Sequence, residues 1–417
     1  MTDSNFSEFG LAEPIQRALR ARNHVVPTPI QARAIPELLA GRDMLGIAQT
    51  GTGKTAAFAL PILHHLSHGR SRAPAGKRPR GPRALILAPT RELAIQISDE
   101  FNQYGRYLDL RHTVIIGGVG QQPQVKALTR GVDILIATPG RLLDLMGQRR
   151  LGLDAVEILV LDEADRMLDM GFVRDVRRIV AALPKARQSL LFSATMPGEV
   201  ARLAGEMLRD PLRVEVTPQA TPVERIEQGV YHVAATGKEA LLASILDDPA
   251  LSRVLVFART KHRASRVAAR LGKAGVATEA IHGNKSQGAR QRALKRFRDG
   301  AVRVLVATDI AARGIDVEGV THVINYELPN QPESYVHRIG RTARAGAGGV
   351  ALSFCDLAER DYLRDIERLI RRRLTVIGDA PAVAAVSERP RTAKKLRDER
   401  TQKRGRPRNT RYRRQAA

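Results

Sequence analysis

An acidic cluster is the first stretch of the sequence whose residue types and spacing could do chemistry. Asp162, Glu163 and Asp165 stand within four residues of one another. They directly follow the apolar run at residues 156–161, which is typical of a buried strand. Three carboxylates at a strand end are costly to bring together unless a cation or another positive group lies beside them. Taken alone, the cluster is also compatible with a solvated loop.

A glycine-rich loop upstream supplies the positive partner. It lies between an apolar stretch and a helical pattern, and it has alanine where the general phosphate-loop pattern has glycine. Gly51 and Gly53 let backbone amides turn toward phosphates, Lys54 neutralises the β- and γ-phosphates, and the Thr55 hydroxyl can bind Mg²⁺. A chance glycine-rich turn is the weaker alternative, so loop and cluster together predict an Mg-nucleotide site. The loop comprises Ala48, Gln49, Thr50, Gly51, Thr52, Gly53, Lys54 and Thr55.

Composition limits the partners. The 417 residues include 68 basic and 43 acidic side chains, and the net charge of +25 favours a polyanion, with nucleic acid as the first candidate. A membrane surface is the other candidate, but no apolar run approaches the roughly 20 residues that span a bilayer. The first residues lack the pattern of a secretory signal. A single cysteine, Cys355, indicates a reducing compartment, and we expect a cytoplasmic protein with a buried, inert thiol.

Apolar strand patterns in the first half each end in a polar tip. Near-continuous apolar strands separated by helical patterns indicate a parallel sheet, in which ligand sites line the carboxyl ends of the strands. The polar tips therefore share one edge, and their hydroxyls, glycine amides and arginines suit a phosphate backbone better than base edges. The strand patterns fall at residues 84–88, 114–116, 134–137, 157–161 and 189–192.

A break in this pattern at residues 208–228 divides the chain. Three prolines interrupt it there, and further strand patterns follow at residues 253–257, 302–307 and 322–325. The sequence therefore predicts an α/β fold with two parallel-sheet domains in tandem. The predicted boundaries are residues 1–213 for the first domain, 214–227 for a linker, 228–377 for the second domain and 378–417 for a disordered basic tail.

Basic segments recur outside the strands. Residues 69–83 hold six basic and no acidic side chains, and residues 378–417 hold 13 basic and 4 acidic ones. The tail has too few large apolar side chains to fold, so we expect it to bind nucleic acid by charge. A solvated loop and a solubilising tail are the alternatives. Arg338, Arg341 and Arg344, at a predicted helix start, need an anion or form a solvated basic face.

Taken together, these motifs resemble those of the DEAD-box ATP-dependent RNA helicases, and most closely the bacterial RhlE-like subgroup. The resemblance covers about residues 6–375, with many motifs in the family's order. It implies two RecA-like domains with a cleft between them, ATP and Mg²⁺ as nucleotide and metal, and RNA as the partner. It implies a monomer and leaves open whether the protein serves ribosome assembly, RNA decay or cold adaptation.

The resemblance also assigns nucleotide-site roles. Asp162 would hold Mg²⁺ through water, Glu163 would activate the attacking water, and Asp316 would hold the ribose hydroxyls. Gln31, whose amide offers both a donor and an acceptor, would read adenine, with Phe6 as the upstream aromatic residue. Arg341 and Arg344 would be the arginine fingers and would act in catalysis together with Lys54. The remaining nucleotide contacts would be His24 and Gly314.

Two further sets come from the same resemblance. One set would couple the nucleotide to domain closure, and the other would contact RNA through sugar and phosphate, with little sequence preference. The coupling residues are Asp165, Ser193, Thr195 and His337. The RNA-binding residues are Pro89, Arg91, Gly117, Gly118, Thr138, Arg141, Arg259, Arg290 and Thr308.

Two positions depart from the family pattern. Asn23 and His24 replace a glycine and an aromatic residue, and we expect the imidazole to stack on adenine instead. Ala343 replaces a glycine between the last threonine and arginine of the final motif, and we expect it to continue a helix, since alanine is the better helix former.

The expected activity is RNA-stimulated ATP hydrolysis that unwinds short RNA duplexes. ATP and RNA together would close the cleft, and hydrolysis would reopen it. Two rivals remain open: a non-enzymatic RNA chaperone whose tail and basic loop anneal strands by charge, and a DNA-directed translocase of the same superfamily.

Overall fold

The computed structural model describes residues 5–49, 51–68, 81–216, 226–312, 317, 319–343 and 348–378. Several predicted features lie outside these residues: Thr50, Gly314, Asp316, Arg344, most of the basic insertion and nearly all of the basic tail. No helix in these ranges is both long enough and apolar enough to cross a membrane.

The first half forms a parallel sheet of seven strands, in the order β3-β4-β2-β5-β6-β1-β7. Alternate residues of each strand face opposite sides of the sheet. Ile86 packs with Phe58 and Ile97 on one side, while Leu85 packs with Leu142 and Val176 on the other. The strands are β1 Met44–Ile47, β2 Ala84–Leu87, β3 His112–Ile115, β4 Ile134–Ala137, β5 Ile158–Leu161, β6 Gln188–Ser193 and β7 Leu212–Glu215.

Helices cover both faces of this sheet, which is why the central strands are apolar throughout. A 3₁₀ turn at Phe6–Phe9 precedes them. The helices are α1 Glu13–Ala21, α2 Pro29–Leu39, α3 Lys54–His68, α4 Arg91–Tyr104, α5 Gln121–Thr129, α6 Pro139–Gly147, α7 Ala164–Asp169, α8 Val173–Ala181 and α9 Gly198–Met207.

The second half repeats the architecture, with seven parallel strands in the order β10-β11-β9-β12-β13-β8-β14. The predicted α/β fold with two parallel sheets is confirmed. Cys355 is buried in the second core, and burial raises the pKa of its thiol to about 11. The strands are β8 Ile226–His232, β9 Val254–Phe257, β10 Thr278–Ile281, β11 Val304–Ala307, β12 His322–Asn325, β13 Gly349–Cys355 and β14 Thr375–Val376.

Helices again lie on both faces of the sheet: Val267 packs on one side and Phe297 on the other. A second 3₁₀ turn occupies Leu357–Glu359. The helices are α10 Lys238–Leu246, α11 Lys261–Lys273, α12 Gln287–Arg298, α13 Asp309–Ala312, α14 Pro332–Ile339 and α15 Arg360–Ile370.

The connection between the two sheets falls at residues 217–225, outside the described ranges. β7 still pairs with β1 of the first sheet as far as Glu215, and β8 begins the second sheet at Ile226. The predicted linker at residues 214–227 overlaps the last two residues of β7 and the first two of β8, and the domain bounds stay a prediction.

The prediction that Ala343 continues a helix is wrong. Helix α14 ends at Ile339 with Gly340 as its cap, and Ala343 has a φ of 54°, in the left-handed region. Turn hydrogen bonds from the amides of Arg341 and Thr342 follow the helix end. The family's glycine is suited to this backbone, because it lacks the Cβ that makes the left-handed region unfavourable.

We expect Ala343→Gly to stabilise the second domain by about 0.5–1 kcal/mol, because relief of left-handed strain exceeds the entropy that glycine adds to the unfolded chain. The measurement is the shift of the chemical denaturation midpoint. Asn23→Gly is the matched control: Asn23 also has a φ of 54°, but asparagine tolerates this region, so we expect a smaller gain. A destabilised Ala343→Gly protein would contradict this account.

Candidate functional site

The glycine-rich loop connects β1 to α3 at the carboxyl edge of the first sheet. Gly51 and Gly53 have φ values of 86° and 93°, as such a tight loop requires. A Cβ on Gly53 would lie only 2.3 Å from the Gln31 side-chain nitrogen. The Lys54 ammonium group donates to the Ala48 carbonyl at 2.8 Å, so the loop curls around its own lysine.

Gln31 connects this loop to the first turn of α2. Its Oε1 accepts from the Thr28 amide at 2.8 Å, and its Nε2 donates to the Gly53 carbonyl at 3.1 Å. The amide that the resemblance assigns to adenine therefore also fixes the loop conformation.

A cavity of about 680 Å³ opens beside the loop, and Gln31, Lys54, Thr55, Asp162 and Glu163 contribute to its wall. His24 lines it as well, with its ring 6.1 Å from that of Tyr104. Burial and the neighbouring Arg22 lower the pKa of His24, so the ring is neutral at pH 7 and can stack on a base.

Phe6 does not line this cavity. Its ring is buried against Phe9 in the first core, and its amide donates to the Val25 carbonyl at 3.2 Å. The structure thus places Phe6 under the segment that carries His24 rather than in the cavity wall.

The acidic cluster lies at the end of β5, with Asp162 and Glu163 both buried. Burial raises the pKa of Asp162 to about 6, while Lys54 acts in the opposite direction. Glu163 has a φ of 55°, and its carboxylate forms an ion pair with Arg166. A buried carboxylate and the hydroxyl of Thr55 are hard oxygen ligands, so these side chains fit a Mg²⁺ ion.

Asp165 faces the end of β6. Its Oδ2 accepts from the Thr195 amide and hydroxyl, both at 2.9 Å, and from the Ala194 amide at 3.2 Å. The Ser193 hydroxyl accepts from the Asp165 amide at 3.2 Å and donates to the Thr195 carbonyl at 2.7 Å. The three predicted coupling residues of the first domain are thus directly connected.

Arg341 brings a cation from the second domain to this cluster. It is 7% exposed, and its Nε donates to the His337 carbonyl at 3.2 Å. Burial, reinforced by Arg166 nearby, lowers the pKa of Arg341 to about 9, whereas Glu163 raises it. Burial and the nearby charges of Arg166 and Arg341 lower the pKa of His337. Arg341 and His337 therefore lie close to the acidic cluster, and their part in domain closure stays a prediction.

A second cavity, of about 510 Å³, brings together most of the predicted RNA-binding residues. It also contains Gly140 and Gly283. Gly118 adjoins it at a φ of 73°, where a Cβ would lie 2.0 Å from a guanidinium nitrogen of Arg91. We refer to this cavity as the groove; the predicted residues lining it are Pro89, Arg91, Gly117, Thr138, Arg141 and Arg290.

Gly118→Ala is expected to weaken RNA binding about tenfold and leave ATP binding unchanged, because the added methyl group displaces Arg91 and strains the backbone. Fluorescence anisotropy with labelled single-stranded RNA measures the first effect, and nucleotide titration the second. Gly120→Ala is the control: at Gly120 a Cβ would meet only Pro123, at 3.8 Å. RNA affinity equal to that of the parent would exclude this role for Gly118.

A buried contact between the two domains was not predicted. Glu92 accepts from the Gln287 side-chain amide at 2.9 Å and lies 3.1 Å from the Arg290 guanidinium. All three side chains are buried. Two signals for this contact were available in the sequence. Glu92 is a carboxylate inside the polar tip that follows β2, and Gln287 is a polar residue three positions before the predicted RNA-binding Arg290.

Arg259 and Thr308 do not line the groove. Arg259 lies 3.3 Å from a carboxylate oxygen of Glu359 and 3.7 Å from one of Glu327. Thr308 is buried, and its amide donates to the Ile281 carbonyl at 3.3 Å. Their assignments to RNA stay predictions.

Arg338 has an internal anion. It forms two hydrogen bonds with the carboxylate of Asp309, at 2.5 and 2.7 Å, and donates to the Glu327 carbonyl and the Asn325 side chain. Among the three arginines of this segment, Arg338 therefore serves the fold of the second domain.

Comparisons with known proteins agree across both domains. A family model described as DEAD/DEAH box helicase matches residues 28–203, and one described as helicase conserved C-terminal domain matches residues 237–346. ATP-dependent RNA helicase CshA of Listeria monocytogenes is 43% identical over 371 residues, covering 89% of this chain and 70% of the relative.

Two further relatives extend this comparison. DEAD-box ATP-dependent RNA helicase CshA of Geobacillus kaustophilus is also 43% identical, and the match covers 89% of this chain and 78% of the Geobacillus protein. Among solved structures, S. cerevisiae Dbp5 bound to RNA and ADP BeF3 is 32% identical with a TM-score of 0.76. That match covers 89% of this chain and 95% of the Dbp5 chain.

Proposed function

Because this chain belongs to the DEAD-box family of ATP-dependent RNA helicases, we propose that RNA in the groove gates ATP hydrolysis in the nucleotide cavity. Each closure of the cleft then separates a short stretch of RNA duplex. One observation carries the proposal: the carboxylate of Glu92 contacts Gln287 and Arg290 across the domains, beside the groove. RNA at Arg290 therefore bears directly on domain closure.

The chemistry follows from the residues at the cavity. Glu163 activates the attacking water, and Lys54 and Arg341 stabilise the charge that develops on the phosphates. An arginine delivered in this way contributes about 10³–10⁵ to the rate in related phosphate chemistry. Asp165 relays the nucleotide state to Thr195, with which it shares two hydrogen bonds.

Mg²⁺ is the metal that we assign to this site, with Thr55 and Asp162 as its protein-side contacts. The buried carboxyl of Asp162 supports the assignment, because a cation offsets the cost of ionising it. When bound, the ion neutralises charge on the β- and γ-phosphates.

ATP hydrolysis by the purified protein tests the proposal. Turnover is measured without nucleic acid, with single-stranded RNA and with DNA of the same sequence, and GTP serves as the control nucleotide. We expect stimulation by RNA alone and a preference for ATP. Turnover independent of RNA would overturn RNA gating. Equal turnover with DNA would also overturn it and would favour a DNA-directed translocase.

A second activity is RNA annealing by residues 378–417 without ATP, favoured by the net charge of the segment, 13 basic minus 4 acidic residues or +9. Deleting the segment separates the two activities: annealing is lost and RNA-stimulated hydrolysis is kept.

The finer assignments rest on the sequence motifs. We propose membership of the RhlE-like subgroup, although the curated relatives compared above carry the name CshA. We also propose a monomer that acts in the cytoplasm, with ribosomal or RNA-decay complexes as its candidate assemblies.

A further inference from the structure

Helix α11 carries an unusual distribution of charge. Its 13 residues contain five lysine or arginine side chains and one histidine, but no carboxylate. Ala264, Val267 and Leu271 pack into the second core. His262, Arg266 and Lys273 share the exposed face, at spacings of one and three helical turns from the first. We refer to these three residues as the α11 stripe.

Carboxylates pair with basic side chains that flank the exposed face of the helix. Arg263 lies 3.6 Å from a carboxylate oxygen of Glu327, and Arg270 forms an ion pair with Glu239. In the described part of the chain, no carboxylate oxygen lies within 4 Å of the Arg266 or Lys273 side chains. Within the described residues, Arg266 and Lys273 therefore give the α11 stripe two positive charges that no carboxylate neutralises.

The helix starts beside the groove. The Lys261 ammonium group donates to the Asn284 side chain at 3.1 Å, and the neighbouring Gly283 lines the groove. The Ser265 hydroxyl lies 2.8 Å from the Nε2 atom of His282 and ties the helix to the same loop. The amino end of the helix adds its own partial positive charge there.

We propose that RNA extending beyond the groove continues along α11, with its phosphates against Arg266 and Lys273. The helix is about 18 Å long at 1.5 Å per residue, which is enough to contact several successive phosphates. Contacts of this kind are independent of sequence and lengthen the bound RNA. The inference goes beyond the helicase activity and rests on the proposed use of the groove by RNA.

The test compares the full-length parent with the double variant Arg266→Gln and Lys273→Gln, using single-stranded RNAs of increasing length. We expect equal affinity for the shortest RNA, which fills the groove alone, and weaker binding of the long RNAs. The slope of log affinity against log salt for the long RNAs should fall by about 1.4, since each single-strand phosphate contact contributes about 0.7. Basal ATP hydrolysis should be unchanged.

Two further variants make the result specific. Lys295→Gln with Arg296→Gln removes the same charge from α12, on the opposite face of the sheet, and should leave long-RNA binding unchanged. Arg266→Lys with Lys273→Arg keeps the charge and should bind long RNA like the parent.

The outcomes separate the α11 stripe from the groove. Unchanged affinity for long RNA in the Arg266→Gln and Lys273→Gln variant overturns the inference, and so does equal weakening by the α12 variant. A wrong groove assignment would give a different result: the Gly118→Ala variant would bind the shortest RNA as tightly as the parent does.

Discussion

Replacing Glu163 with Gln is expected to abolish RNA-stimulated ATP turnover while ATP affinity stays within a few-fold of the parent. The carboxylate is buried at the end of β5, close to Asp162 and to Arg341 from the second domain. An amide of the same shape still accepts a hydrogen bond from Arg166 but cannot take a proton from water. General base catalysis contributes about 10²–10⁴ to a rate, so we expect a loss of at least that order.

Steady-state hydrolysis at saturating RNA gives the turnover, and titration with a fluorescent ATP analogue gives the affinity. Glu199→Gln is a matched control, because Glu199 forms an ion pair with Arg202 at the same sequence spacing but on the surface of the first domain. A Glu163→Gln protein that keeps a tenth or more of the parental turnover would remove Glu163 from the role of base.

The nucleotide site was accessible from the sequence because it is local. The loop and the acidic cluster each lie within eight residues, and a parallel sheet brings strand ends to one edge whatever its strand order. For the same reason, the groove residues that follow β2, β3 and β4 could be grouped in advance. Their shared edge follows from the parallel sheet, whereas Arg290 joins the groove from the second domain.

The features that the sequence did not reveal depend on contacts that are distant in sequence or on backbone conformation. Arg338 finds the anion that it was expected to need in Asp309, 29 residues away, a partner that its sequence context does not identify. Helix propensity favoured Ala343, but the chain had already left the helix at Gly340. Phe6 packs its ring in the first core, and its assignment to the nucleotide stays a prediction.

The contact at Glu92 leads to the second large prediction: Glu92→Ala should lower RNA stimulation of ATP hydrolysis on the order of a hundredfold. The change leaves Arg290 and the Gln287 amide without their buried partner in the closed form. Breaking a buried ion pair costs about 3–5 kcal/mol, and each 1.4 kcal/mol is a factor of ten. RNA-independent turnover and thermal stability should change little, because the contact joins two domains that fold around separate cores.

A double-mutant cycle with Gln287→Ala tests whether the contact itself is responsible. The two substitutions should be non-additive, since each removes the same interdomain hydrogen bond. Glu206→Ala, which breaks an ion pair with Arg177 inside the first domain, should leave stimulation intact. If the Glu92→Ala effect adds fully to that of Gln287→Ala, the two side chains act independently. RNA then gates hydrolysis by a route other than this contact.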